Sequence, residues 1–244
     1  MQPLKINGLV TRVSNVGENG KMLTVLSNDL GKISVWGKGL SSQKHPSKSA
    51  AAPFSYSEFV LNQKGDIYSL SSASLINSFY NLSTSVEKLS LANYFCALSE
   101  AVLCDSTYAQ DVLKLLLNSL HYLQKDLKEF FDMWLMFEVK ALALAGVMPN
   151  LGECVICGGV PDFAIDILAG GAVCENCSVG AIKTDAAVFA LLKGYEAASL
   201  KGALELKIED VAAIKRAISI TGKFIAEHIS KIKARDYLGK IVRM

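Results

Sequence analysis

Four cysteines give this 244-residue chain its most specific chemical pattern. They form two Cys-x-x-Cys pairs, Cys154 with Cys157 and Cys174 with Cys177, and sixteen residues separate the pairs. Each pair can present two thiolates from one tight turn, so the two pairs together can fill the tetrahedral shell of one Zn²⁺ ion. Four sulfur ligands leave no coordination position for water or a substrate. The pattern therefore predicts one zinc ion per chain, with a structural rather than a catalytic role.

Disulfide bonds, a redox dithiol and an iron–sulfur cluster are the alternatives for these cysteines. Disulfides require an oxidising compartment, and the N-terminal sequence has no uninterrupted apolar stretch of the secretory type. A redox dithiol requires a single pair that follows a strand in a βαβ unit, and no such pattern surrounds either pair. The remaining cysteines, Cys96 and Cys104, lie in an apolar helical stretch, where we expect them to be buried as small hydrophobic side chains. Structural zinc is the favoured interpretation.

Length and composition indicate a globular, cytoplasmic protein. Hydrophobic residues make up 51% of the chain, and its 244 residues are enough for one large domain or two to three small ones. The most apolar segment, from Trp134 to Met148, is interrupted by Glu138 and Lys140. No transmembrane helix is therefore expected.

The net charge of +2 conceals two basic zones. Residues 1–80 carry eight Lys or Arg and four Asp or Glu, and residues 215–244 carry eight basic and two acidic side chains. Two basic zones on a nearly neutral chain favour a face that binds a polyanion over a generally basic surface. Ordinary solvated lysines are the alternative interpretation.

No catalytic motif accompanies these features. Five Gly-Lys pairs occur, but none is followed by Ser or Thr, as a phosphate-binding loop requires. The three histidines, His45, His121 and His228, are scattered, and there is no His-Glu-x-x-His motif. A hydrolytic zinc ion would need an open coordination position and a nearby base. We therefore predict a protein that is not an enzyme.

The first third of the chain has the pattern of a small β-barrel. Short β-branched or alternating runs occur at 9–13, 22–26, 32–36, 54–61 and 66–75, with Gly- and Asn-containing turns between several of them. Five short strands in about 75 residues fit a closed barrel of OB-fold size, whose strand face and loops often bind nucleic acids. The segment 41–52 is rich in Ser, Lys and Ala and is predicted to be a mobile loop.

After residue 80 the apolar residues adopt helical spacing. Helices are predicted over 84–103, 108–123, 130–145, 185–192 and 209–232. The cysteine pairs lie between the third and fourth of these helices, so we interpret them as an insertion in a helical domain. The predicted organisation is an OB-fold domain at 1–80, a helical domain at 81–150 and 183–244, and a four-cysteine zinc finger inserted at 151–182.

Several short motifs are distributed along the whole chain. The N-terminal ones are Gly8-Leu-Val-Thr-Arg12, Gly17-Glu18, Lys21, Leu23-Thr24, Gly31-Lys32-Ile33, Gly37-Lys38-Gly39, Pro53-Phe54 and Tyr56. Later ones are Gly146-Val-Met-Pro149-Asn-Leu151, which leads into the first cysteine pair, and Lys233-Ala-Arg235-Asp-Tyr237-Leu238 near the end. In order and spacing, from residue 8 to residue 238, they resemble the RecO family of bacterial recombination-mediator proteins.

The chain departs from the family pattern in its first loop and in its closing motif. After Lys38 the loop is basic through Lys44 and Lys48, where the family often has Arg-rich sequence. Lysine contacts a phosphate through a single ammonium charge, whereas arginine can donate two parallel hydrogen bonds to it. Ala234 stands where the closing motif usually has Ser. All four zinc-type cysteines, which some family members have lost, are present.

The resemblance implies a non-catalytic protein of DNA repair and recombination, with an OB-fold barrel followed by a helical domain that carries a zinc finger. It implies binding to single- and double-stranded DNA and annealing of complementary strands at the nucleoid. Together with RecR, such a protein loads RecA onto strands coated by single-strand-binding protein, whose acidic C-terminal tail is a further implied partner. A zinc-stabilised protein-interaction adaptor that binds no DNA is the alternative function.

A groove for nucleic acid needs cations that contact phosphates and aromatic faces that stack on bases. In the predicted barrel the candidates are Arg12, Lys21, Lys32, Lys38, Lys44, Lys48, Trp36 and Tyr56. Because Trp36 alternates with Val35, it either stacks on bases or faces the barrel core. A possible second basic strip consists of Lys215, Arg216, Lys223, Lys231, Lys233 and Arg235. This strip contacts DNA or an acidic peptide, or it is simply the solvated face of an amphipathic helix.

Overall fold

The computed structural model describes residues 3–65, 67–103 and 108–243. The chain divides into two compact units, the first ending at Gln124 and the second beginning at Lys125. This division falls inside the predicted helical domain, whose boundaries stay a prediction. Asp66, which begins a predicted strand, and Cys104 lie outside the described residues.

Five strands form a closed barrel in the first unit. They are β1 (Leu4–Val16), β2 (Gly20–Ser27), β3 (Gly31–Gly37), β4 (Ser55–Lys64) and β5 (Ile67–Ser78). Their order around the barrel is β1-β2-β3-β5-β4, and neighbouring strands are antiparallel except β3 and β5, which are parallel. A five-stranded closed barrel is the OB-fold architecture. The fold class predicted for this part of the chain is confirmed.

Alternation along the strands places apolar side chains inside the barrel. In β3, Ile33 and Val35 are buried and Lys32 is exposed, as expected for a strand with one face on a core. The pairing of β1 with β2 shifts register between Val10 and Arg12. Because of this β-bulge, Val10 belongs to the barrel core while Arg12 is exposed.

The segment between β3 and β4 is folded against the barrel, in contrast to the mobile loop expected from its composition. Hydrogen-bonded turns succeed one another from Gly39 to Ala52. Leu40 and Ala51 belong to the barrel core, and the hydroxyl of Ser47 accepts a hydrogen bond from the backbone N–H of Ala73 at 2.9 Å. The small side chains that suggested mobility therefore allow close packing on the strands.

A 3-10 helix (Tyr80–Thr84) and two α-helices, α1 (Val86–Val102) and α2 (Ala109–Gln124), complete the described part of the first unit. Ser85 caps α1 by accepting a hydrogen bond from the backbone N–H of Lys88. Leu9 and Leu26 are fully buried although they lie outside the barrel core. They are covered because α1 packs on β1 and α2 packs on β2 and β3.

The second unit is built around helix α3 (Phe130–Leu144), which is buried from Asp132 to Val139. Helices α4 (Ala186–Ala197), α5 (Leu200–Glu205) and α6 (Val211–His228) pack on α3, and α7 (Lys233–Ile241) follows. The long helices agree with the predicted ones. Helices α5 and α7 are too short to show a clear apolar period, and the sequence pattern does not predict them. No helix in the described part of the chain is long and apolar enough to cross a membrane.

An ion pair is buried at the start of α3. Lys128 Nζ lies 2.7 Å from the carboxylate of Asp132, and their side chains are 1% and 2% exposed. The hydroxyl of Tyr195 in α4 donates a hydrogen bond to the same carboxylate. Burial, together with this carboxylate, raises the pKa of Tyr195 far above its ordinary range. Burial also lowers the pKa of Lys128, and Asp132 opposes that effect.

Residues 150–182, here called the cysteine module, lie between α3 and α4. Three short strands, β6 (Ala164–Asp166), β7 (Gly171–Val173) and β8 (Ile182–Lys183), form an antiparallel sheet of order β7-β6-β8. Ala164 and Val173 form a very small core with Cys154. So small an apolar core contributes little stability by itself, and such modules normally depend on a metal or on disulfides.

Candidate functional site

The four predicted zinc ligands lie together. The sulfur atoms of Cys154, Cys157, Cys174 and Cys177 are all within 4.8 Å of one another, and those of Cys157 and Cys174 are 3.7 Å apart. In a tetrahedral zinc site with bonds of about 2.3 Å, neighbouring sulfurs are about 3.8 Å apart. The cluster therefore has the ligand set and the size for one four-coordinate metal ion.

Two tight turns position these ligands. In the first turn the N–H of Gly158 donates to the carbonyl of Cys154 at 2.8 Å, and Gly158 has a φ of 74°, a conformation that favours glycine. In the second turn the N–H of Cys177 donates to the carbonyl of Cys174 at 3.0 Å. A hydrogen bond from the first turn to Ala172 in β7 holds the turns side by side.

The electrostatics of the cluster favour a bound cation. Burial disfavours the Cys154 thiolate, but hydrogen bonds from the backbone of Cys174, Cys157 and Ile156 lower the pKa of Cys154 to about 6. The neighbouring Cys174 sulfur, together with burial, raises the pKa of Cys177 to about 12. The neighbouring sulfurs thus oppose ionisation of Cys177. A divalent cation at the centre would remove that opposition.

The cysteine module has an acidic surface. From residue 150 to the end of β8 at Lys183, the chain contains four acidic side chains and one basic side chain, Lys183. Glu153, Asp162 and Glu175 are exposed, and a zinc ion held by four thiolates would add a charge of about −2. Because such a surface repels a phosphate backbone, the module is poorly suited to bind DNA.

Two of the predicted DNA-binding cations are directed toward α1. Arg12 forms an ion pair with Glu100, and Lys32 Nζ donates to the backbone carbonyl of Glu100 at 3.3 Å. The Glu100 carboxylate also accepts a hydrogen bond from the Thr11 hydroxyl at 2.7 Å. The Arg12 side chain is still 67% exposed. Both cations therefore fasten α1 to the barrel, in addition to any contact with a ligand.

Lys21 and Lys48 line a cavity of about 490 Å³, here called the barrel groove. It lies between the ends of β1 and β2 and the folded loop, and His45 also lines it. Lys48 donates a hydrogen bond to the side chain of Gln43. The loop also carries Lys38 and Lys44, and both are exposed. The barrel groove therefore brings together predicted residues from β2 and from the loop after β3.

Trp36 and Tyr56 lie on the outside of the barrel. Val35 is in the core, whereas Trp36 is half-buried on the opposite face of β3, paired with Met22 of β2. Its Nε1 lies close to Gly20, which precedes Lys21. Tyr56 is half-buried on the outer face of β4. Trp36 is therefore outside the barrel core, and its stacking on bases stays a prediction.

Helices α6 and α7 enclose a larger cavity of about 730 Å³, here called the helical groove. Its apolar floor includes Trp134, Gly222 and Ala226. The cations that line it are Lys215, Arg216, Lys223, Arg235, Lys240 and Arg243. Of the predicted strip, Lys231 and Lys233 are exposed but do not line this groove.

Only part of this positive charge is neutralised within the protein. Arg216 forms an ion pair with Asp185 at 2.8 Å, and Arg235 pairs with Glu138. Among the described residues, Lys223, Lys240 and Arg243 form no ion pair. One acidic residue, Asp236, also lines the groove. The groove therefore combines an apolar floor with an excess of cations, which suits an acidic peptide with apolar side chains.

Several residues of these surfaces are not among the predicted ones. Glu100, Glu138 and Trp134 are buried in helices, where the sequence pattern indicates only packing. Gly222 does carry a signal, because a glycine inside a long helical pattern is unfavourable and usually has a packing reason. Arg243 belongs to the basic zone at 215–244, but it follows the last motif and is not part of the predicted strip.

Comparison with known proteins agrees with this architecture. Residues 1–79 match the family model Recombination protein O N terminal, and residues 83–236 match Recombination protein O C terminal. A DNA repair protein RecO from Caldicellulosiruptor bescii is 35% identical over 179 residues, which are 72% of this chain and 73% of the relative. One from Myxococcus xanthus is 29% identical over 240 residues, 96% of each chain. The chain therefore belongs to the RecO family of DNA repair proteins.

Proposed function

We propose that this protein is a recombination mediator that acts by binding and not by catalysis. It binds single- and double-stranded DNA, promotes annealing of complementary strands and, with RecR, loads RecA onto strands coated by single-strand-binding protein. It works in the bacterial cytoplasm, at the nucleoid. Membership of a DNA repair family supports this role. A protein-interaction adaptor without DNA binding is the alternative.

The observation that carries DNA binding is the barrel groove. Lys21 and Lys48 face one open cavity from two different elements, and Lys38 and Lys44 are exposed on the same loop. Cations at one end of a barrel, with a half-exposed Trp36 nearby, match how OB-folds hold single strands through phosphates and base stacking. Arg12, Lys32 and Tyr56 are proposed to extend this face along the outer strands.

Combining Lys21→Ala with Lys48→Ala tests the groove. For single-stranded DNA each lost phosphate contact lowers the slope of log affinity against log salt by about 0.7, so the double variant should lose about 1.4. The measurement is fluorescence anisotropy with a labelled oligonucleotide at several salt concentrations. Lys5→Ala with Lys64→Ala, two exposed barrel lysines outside the groove, is the matched control.

Two outcomes of this titration contradict the proposal in different ways. An unchanged affinity and salt slope in the groove variant would show that DNA binds elsewhere. No binding of the unaltered protein at low salt would favour the adaptor function.

We also propose that the cysteine cluster holds one structural Zn²⁺ ion per chain. Its four sulfurs have the size of a closed tetrahedral site, and the turns that carry them have only a very small apolar core. The zinc ion would stabilise the cysteine module and would leave DNA binding to the barrel.

The helical groove is the proposed site for the acidic C-terminal tail of single-strand-binding protein. Lys223→Ala combined with Lys240→Ala removes two unpaired cations. The double variant should bind a labelled tail peptide about tenfold more weakly or worse, which corresponds to a loss of about 1.4 kcal/mol of binding free energy. Lys193→Ala with Lys201→Ala, two exposed helix lysines outside the groove, should bind as the unaltered protein does. Equal peptide affinity in both double variants would contradict this assignment.

A further inference from the structure

We infer that Glu138, Gly222 and Arg235 form a latch that holds α7 on α6 and so builds the outer wall of the helical groove. The inference rests on the proposed binding of an acidic tail in that groove. Arg235 extends from α7, Glu138 belongs to α3 and Gly222 belongs to α6. Their role is to position α7 and not to form the main contacts with the peptide.

Glu138 is the buried anchor of the latch. Its side chain is 0% exposed, and its carboxylate accepts hydrogen bonds from Trp134 Nε1 at 2.7 Å and from the Thr221 hydroxyl. Arg235 Nε donates to the same carboxylate at 2.8 Å. Because burying a carboxylate is costly unless a cation and hydrogen bonds replace its lost hydration, α7 is attached to the interior of the unit through its arginine.

The guanidinium of Arg235 also binds α6 directly. Its Nη2 donates to the backbone carbonyl of Ile218 at 2.6 Å, and its Cζ lies 5.4 Å from the centre of the Trp134 ring. One side chain of α7 thus contacts the backbone of α6 and two side chains of α3. This combination fixes both the position and the orientation of α7.

Gly222 leaves the space that the guanidinium occupies. A Cβ atom at this position would lie closer than 3.0 Å to Cζ and to both terminal nitrogens of Arg235, a separation that real Cβ atoms do not show. Glycine is unfavourable inside a helix such as α6. A glycine is nevertheless needed at this position because the Arg235 side chain occupies the space that any other side chain would fill.

Helix α7 has few other attachments. It has nine residues, and Leu238 is its one buried residue. Helices of this length are not stable by themselves in water and depend on tertiary contacts. Because α7 supplies Lys240 and leads to Arg243, opening the latch would remove these cations from the groove.

The test is Gly222→Ala in the full-length protein, with Gly194→Ala as the matched control. Gly194 is also inside a helix, and a Cβ there meets no atom within 4 Å. Gly222→Ala should weaken binding of the tail peptide by about tenfold and speed tryptic cleavage after Lys231 and Lys233 by about tenfold, whereas Gly194→Ala should change neither. Binding of single-stranded DNA to the barrel should stay unchanged in both variants.

A double-mutant comparison separates the latch from a general loss of stability. The three atoms nearest to the added methyl group all belong to Arg235, so Gly222→Ala should cause no further loss in an Arg235→Ala background. Glu138→Gln preserves the shape of the anchor while removing its charge, and it should also speed cleavage. If Gly222→Ala reduces peptide binding by the same factor with and without Arg235, the latch is refuted.

The latch and the proposed tail site can fail separately. If the unaltered protein does not bind the tail peptide, the proposed tail binding is wrong, and the latch is judged by proteolysis. Equal cleavage rates for Gly222→Ala and the unaltered protein would then overturn it.

Discussion

Buried acidic residues decide how this protein uses many of its cations. The Glu100 carboxylate engages Arg12, and the Glu138 carboxylate engages Arg235. A cation that satisfies a buried carboxylate cannot be moved to a ligand without leaving that charge unpaired, which is costly. A count of basic residues therefore overstates the charge that is available to DNA, and lysines without such partners are the better candidates for contacts.

A pH dependence follows from Tyr195. Its pKa is raised in the folded protein by burial and by Asp132. Above about pH 10 the unfolded chain releases this proton while the folded chain retains it, so the stability of the folded state falls as the pH rises. The lowered pKa of Lys128 makes the stability of the folded state rise with pH. That rise is complete above about pH 10.5, near the ordinary pKa of lysine, so it does not mask the effect of Tyr195.

Tyr195→Phe removes this titrating group. Between about pH 10.5 and 11.5 the unaltered protein should lose up to about 1.4 kcal/mol more stability than the variant does. Urea unfolding at several pH values measures the difference. Tyr237→Phe, at an exposed tyrosine of α7, should retain the pH dependence of the unaltered protein. Equal slopes for all three proteins would show that Tyr195 ionises normally.

Among the elements, the cysteine module has little apolar packing of its own. Its three strands have two or three residues each, and the buried residues of its own core cluster are Cys154, Ala164 and Val173. In such modules the free energy of metal binding is also folding free energy. The module should therefore lose its structure without metal, while the barrel remains folded.

Cys174→Ser tests this dependence. Structural zinc contributes on the order of 10 kcal/mol in small zinc modules, so the variant should contain less than one zinc per chain and exchange backbone amides rapidly over residues 150–182. Elemental analysis and hydrogen exchange measure both effects, and DNA binding should stay nearly unchanged. Asn176→Ser, an exposed position in the same turn, is the control. Full metal content in Cys174→Ser would contradict a four-sulfur site.

For the whole molecule, the division after Gln124 means that the barrel does not end its compact unit at residue 80. Helices α1 and α2 cover Leu9 and Leu26, and α1 supplies the carboxylate of Glu100 to the barrel. A fragment that stops at residue 80 would expose both leucines, at about 1.5–3 kcal/mol each.

Fragments 1–124 and 1–80 should therefore differ in stability by several kcal/mol, with the longer one unfolding cooperatively and binding single-stranded DNA. Thermal and urea unfolding, followed by anisotropy with a labelled oligonucleotide, provide the comparison. If fragment 1–80 were as stable as 1–124, the helices would not be part of the folding unit of the barrel.

Features that depend on local spacing can be predicted from the amino-acid sequence. Cys-x-x-Cys turns place two sulfurs together within four residues, so the cysteine cluster is predictable. In β3, buried and exposed side chains alternate, and in α3 apolar side chains recur at helical spacing. Both patterns follow from the side-chain repeat of a strand or helix, so both are predictable. The short helix α7 has too few repeats for such a signal.

The pairing of charged residues, in contrast, depends on how the elements pack in three dimensions. Arg12 and Glu100 are 88 residues apart in the chain, and Arg235 and Glu138 are 97 apart. These pairings, and the space above Gly222 that one of them needs, require strands and helices to be placed against one another. The local pattern of side chains shows which face of a strand or helix is apolar, but not which other element packs on that face. The two grooves therefore depend on the tertiary structure.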